Sequence, residues 1–117
     1  MSHPNMAHVS DQQARVELGE SKRRLEQALG SPVDHFSYPC PALTPHWKES
    51  TVEMCRQLGY LTAVTTDGGA VRQHDSPLRL RRSGPTKRIE GLRWSVDCSF
   101  AGRTPRVWEP VGYAAAI

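Results

Sequence analysis

A chain of 117 residues is long enough for one domain and too short for two, and 38% hydrophobic residues can bury a core. Its formal charge of +3 and isoelectric point near 9.0 are mildly basic, well short of a nucleic-acid-binding signature. No apolar run approaches the ~20 residues of a membrane span, and three cysteines without a C-x-x-C pair offer neither a disulfide framework nor a zinc ribbon.

The chain shows no charged n-region followed by an apolar stretch, so it reads as cytoplasmic with reduced thiols. Basic residues concentrate late, at Arg72, Arg79, Arg81, Arg82, Lys87, Arg88 and Arg93, as a solvated edge and helix face. Neither a nucleic acid nor a membrane is expected as a partner.

In chain order, Ser10 with Gln13 three residues later is a capping-box start. Ala14, Leu18, Leu25, Ala28 and Leu29 keep helical spacing, with Gly30 as the stop and Pro32 against continuation, predicting a helix over about 11–29. Val33, His35, Phe36 and Tyr38 suit a strand at about 34–38, closed by Pro39 and Pro41, which lack an N–H. Thr44 and Pro45 read as the N-cap and first position of a second helix, with Trp47, Thr51, Met54, Cys55 and Leu58 on one face. The run "YLTAVTT" at 60–66 is apolar without alternation and predicts a parallel strand buried on both faces. "LRLRR" at 78–82 alternates as an edge strand would, and Ile89, Leu92, Trp94 and Val96 are the apolar residues of a last helix. This order implies an α/β protein with a parallel sheet, yet so few strands make a poor sheet, and the chain reads as the back half of something larger.

The runs "SHPN", "SKRRLEQALG", "FSYP" and "LGYLTAVTT", in that order, closely resemble the C-terminal half of the polysaccharide deacetylase family. These are metal-dependent carbohydrate esterases related to chitin, peptidoglycan and chitooligosaccharide deacetylases. The likeness spans residues 2 to about 98, and implies two segments: 1–101 as the C-terminal portion of such a domain and 102–117 as an irregular tail.

The resemblance implies part of a distorted (β/α) barrel and removal of acetyl groups from N- or O-acetylated sugars by water activated on a divalent metal, usually zinc. The histidine of "SHPN" matches the second histidine of the family's His-(Ser/Thr)-x-x-His metal motif, so His3 is the implied metal ligand. The first histidine would lie four positions before His3, ahead of Met1, and the paired-aspartate motif further upstream; nothing like it occurs in the chain. Pro39 and Cys40 match the family's groove-shaping pair, where the backbone N–H of Cys40 would stabilise an oxyanion. A nucleophilic Cys40 is disfavoured because no helix N-terminus, base or cation stands nearby in sequence to make a thiolate. Arg82 falls near the place of the family's general-acid histidine, where a guanidinium cannot readily give up a proton. His8, His35, His46 and His74 read as loop, surface or helix-start residues, and Trp47, Trp94 and Trp108 as packing rather than sugar platforms. Catalytic zinc needs about three protein ligands. The expectation is therefore a truncated deacetylase, inactive alone, or a non-catalytic remnant, or one half of an assembly with a partner chain that supplies the missing N-terminal half.

Overall fold

The computed structural model describes residues 3–39, 45–83 and 86–102. The predicted Thr44 cap, Cys40 and all but the first residue of the 102–117 tail lie outside them. The first helix, α1 (Asp11–Leu29), has the bounds that its sequence implies. Ser10 Oγ accepts from the Gln13 N–H at 3.1 Å, and Gly30 leaves the helix at φ 68°, a left-handed turn that glycine adopts without Cβ strain. Strand β1 (His35–Ser37) is followed by α2 (Glu49–Gln57), β2 (Thr62–Val64), a 3₁₀ turn (Pro77–Arg79) and α3 (Ile89–Phe100).

β1 and β2 pair in parallel, with His35 opposite Thr62, Phe36 opposite Ala63 and Ser37 opposite Val64. A single parallel bridge from Val64 to Leu80 extends the row. Ser37, Val64 and Leu80 therefore stand side by side at the carboxyl ends of three neighbouring strand positions. The α/β arrangement with parallel pairing is as the sequence implies.

The core gathers Met6, Ala14, Leu18, Tyr38, Val52, Met54, Cys55, Tyr60, Ala63 and Leu78. α1 lies on α2, fastened at its rim by Arg15 Nη2 donating to Gln57 Oε1 at 2.7 Å. It is tied to the approach to β1 by the Val33 N–H donating to Glu26 Oε1 at 3.0 Å.

Four expectations need correction. The second helix starts at Glu49 and not at Pro45, because Lys48 holds an extended conformation as its N-cap. Lys48 Nζ donates to Val9 O at 3.0 Å and pairs with Asp11, and Trp47 leans toward Tyr38 with ring centroids 6.2 Å apart. These tertiary contacts hold 45–48 out of the helix. Burial alternates across 62–65, with Ala63 and Thr65 buried and Thr62 and Val64 half-buried, so β2 is not fully covered on both faces. Residues 78–82 form no regular edge strand: Leu78 turns into the core and only Leu80 pairs. Finally, Leu25 and Leu29 of α1 and Ile89, Leu92, Trp94 and Val96 of α3 are exposed. Beyond Gly91 and Cys98, α3 buries little; Ser99 and Phe100 at its end face Gly69, Arg72 and Arg81 across a cleft of about 190 Å³.

Thr51 is fully buried in α2, and among the described residues its hydroxyl has no hydrogen-bond partner. A buried hydroxyl without a partner forfeits its hydration, so Thr51→Val, which keeps the shape, is expected to raise stability by about 1 kcal/mol. A urea melt that shows a lower midpoint would refute this.

Candidate functional site

In open parallel sheets, ligands bind beyond the carboxyl ends of the strands. Here that edge carries Ser37, the last residue of β1, Thr66 just after β2, and Arg82 two residues past Leu80. Thr65 builds the floor. It is fully buried, its N–H donates to Leu80 O at 2.8 Å, and its Oγ1 accepts from the Asp67 N–H at 3.1 Å. The Arg82 N–H in turn donates to Asp67 O at 3.2 Å. Arg82 Nη1 then reaches across the end of β2 to Ser37 Oγ at 3.2 Å.

His46, from the connection between β1 and α2, meets Thr66 on the same edge, Nδ1 to Oγ1 at 2.7 Å. It is half-buried, not a plain surface residue. Neither Ser37, the last residue of β1, nor Thr66, two residues past β2, carries a mark of this role in the sequence. His35 faces outward and meets Thr62 Oγ1 at 2.8 Å.

The expected site residues are only partly gathered. Arg82 is on the edge and exposed, and Pro39 follows Tyr38 at the end of β1, half-buried. The backbone of Tyr38 makes the last β1–β2 bond among the described residues, its N–H donating to Val64 O at 3.1 Å, and Pro39, like His35 and Ser37, falls on the alternation that faces away from β2. Cys40 lies outside the described residues. His3 and His8 are exposed on the segment ahead of α1. Among the described residues, no three His, Cys, Asp or Glu side chains come together as a metal cage would require.

Burial shifts three ionisable groups of the core. It pushes the Cys55 thiol above its usual 9.0 and the Tyr38 and Tyr60 phenols above their usual 10.0. Cys55 is thus a packing residue rather than a nucleophile. All three values are raised on folding, so the unfolded chain releases these protons first. Their contribution to stability is complete below pH 9 and is lost as the pH climbs through the raised values. The urea midpoint is expected to fall between about pH 8 and about pH 10.5, and Cys55 to resist alkylation until the chain unfolds. A flat midpoint, or rapid labelling of Cys55 in the folded chain, would contradict this.

With this geometry in hand, the profile of a family described as polysaccharide deacetylase matches residues 1–63, more than half the chain. The chain belongs to the polysaccharide deacetylase family. Its fold is similar to that of a Streptococcus pyogenes deacetylase, PplD, solved in complex with acetate, at a TM-score of 0.63 and 24% identity. That superposition covers 70% of this chain and 34% of the other, so this polysaccharide deacetylase chain spans about a third of the length of the solved structure. No curated protein sequence matches it. Among the described residues, no helix is long and apolar enough to cross a membrane.

Proposed function

We propose that this chain is the C-terminal part of a metal-dependent deacetylase that removes acetyl groups from N- or O-acetylated sugars, its described elements being one portion of a distorted (β/α) barrel. The observation that carries the reading is the family match over residues 1–63. The polar edge built from Ser37, Thr66, His46 and Arg82, at the carboxyl ends of parallel strands, supports it. Pro39 and Cys40 would shape the groove, with the Cys40 N–H as an oxyanion donor.

His3 would be one ligand of a divalent metal, zinc in this reading. The donors among the described residues do not make up a catalytic set, and further ligands would have to join His3. No step through a metal is therefore derived. Arg82 would stand near the place of the family's general acid, and a guanidinium keeps its protons, so proton delivery to the leaving amine would fall to another group.

A second reading, a half that assembles with a partner chain, is favoured by two uncovered surfaces. In a parallel ladder alternate residues face the partner strand, so the backbone groups of His35 and Ser37 point away from β2. Among the described residues no strand pairs on that side, and α3 exposes Ile89, Leu92, Trp94 and Phe100.

One experiment separates these readings. Acetate release from N-acetylated chitooligosaccharides and zinc affinity are measured for the chain alone and for the chain mixed with the N-terminal half of a polysaccharide deacetylase domain. The expected result is neither property alone and both in the mixture, with His3→Ala lowering zinc affinity at least tenfold. Neither property in any mixture would leave a non-catalytic remnant.

A further inference from the structure

Three arginines, Arg79, Arg81 and Arg82, crowd the end of the 3₁₀ turn and the segment after it, and their partners differ. Arg79 Nη1 pairs with Glu49 Oε1 at 2.7 Å, and its guanidinium lies over the Trp47 ring at 5.6 Å. Arg81 Nε faces Asp75 Oδ2 at 3.8 Å, while Gly69 leaves room for its side chain, with Cδ and Nη1 at 3.7 Å from where a Cβ would stand. For Arg82, no carboxylate among the described residues forms an ion pair. Its side chain is held by a neutral hydroxyl, Ser37 Oγ.

This arrangement is directional. Leu80 and Ser37 lie on either side of Val64 in one row, so the Arg82 side chain crosses the end of β2, about two strand spacings of 4.8 Å. The Asp67 carbonyl holds its backbone and Ser37 holds one end of its fork. A hydroxyl acceptor positions the guanidinium without neutralising it. The remaining N–H donors and the full charge stay available in a rigid planar fork that fits a carboxylate.

We propose that Arg82 is a carboxylate-binding residue that selects glycans with an acidic sugar unit next to the acetylated one. This rests on the carbohydrate reading above and adds the charge class of the substrate. Two sources could supply the carboxylate, a uronic acid within the glycan or free acetate, and the inference commits to the glycan.

The test is equilibrium binding by titration calorimetry at low ionic strength, where an exposed ion pair is least screened. The probes are a hyaluronan tetrasaccharide, in which N-acetylglucosamine alternates with glucuronate, the same tetrasaccharide with its carboxylates reduced to alcohols, and sodium acetate. The acidic glycan is expected to bind about tenfold more tightly than the reduced one, the scale of one charge-assisted fork. Arg82→Gln should erase that ratio and leave affinity for the reduced glycan within about twofold, while Arg82→Lys should keep part of it. Because Arg82 is exposed, circular dichroism of both variants should match the parent. Equal binding of the two glycans, or a ratio unchanged in Arg82→Gln, overturns the inference and leaves the carbohydrate reading standing. Equal glycan binding with acetate bound through Arg82 also overturns it, in favour of the free anion. Binding of neither glycan overturns the carbohydrate reading and this inference with it.

Discussion

Tyr38→Ala is expected to lower stability by about 3–5 kcal/mol, the range for truncating a large buried aromatic. A small domain holds about 5–15 kcal/mol in total, so the variant would be mostly unfolded at modest urea concentrations. Tyr38 is almost wholly buried and joins four parts of the chain. Its ring meets Phe36 edge-on at 5.1 Å and Trp47 at 6.2 Å. Its hydroxyl donates to Leu78 O at 3.1 Å and approaches Cys55 Sγ at 3.6 Å. The 3₁₀ turn is therefore fastened to β1 through this one side chain, and Arg82 lies just beyond that turn. Tyr38→Phe keeps the ring and removes only the hydroxyl, for a loss of about 1–2 kcal/mol. Urea melts followed by tryptophan fluorescence distinguish the two variants. Equal losses would mean that the hydrogen bond, not the ring packing, dominates.

Leu18→Ala is expected to lower stability by about 2–5 kcal/mol, whereas Leu29→Ala on the same helix should change it by no more than about 0.5 kcal/mol. Both leucines belong to the one apolar stripe of α1 in sequence. Leu18 is sealed against the core, and its carbonyl accepts from Tyr60 Oη at 3.4 Å, while Leu29 is 65% exposed. α2 spans only Glu49–Gln57, a shorter helix than α1, and among the described residues nothing buries Leu29. Denaturant melts of the two single variants measure the contrast. A large loss for Leu29→Ala would show that another surface covers the second half of α1.

Arg82 and Pro39 could be named from sequence because the resemblance points to their chain positions, and both lie near the strand ends. The role of Ser37 could not, since a serine at the end of a strand carries no signal until Arg82 reaches it from 45 residues away. His46 read as a helix-start residue because Thr44 and Pro45 look like a helix start. Its bond to Thr66 and the lean of Trp47 toward Tyr38 keep that segment out of the helix.

The sequence by itself determined what local chemistry can determine. Ser10 and Gly30 set both ends of α1 because caps act within a turn of the backbone. The alternation of helix and strand set the parallel α/β class. Tertiary structure decided which apolar faces are covered and which segments bend away from their propensity. Leu25, Leu29 and the α3 residues share their periodicity with buried ones, yet burial needs a second surface, and pattern cannot say whether one is present. The edge pairing of Arg82 with Ser37 arises in the same way, from a parallel register that sets Ser37, Val64 and Leu80 in one row.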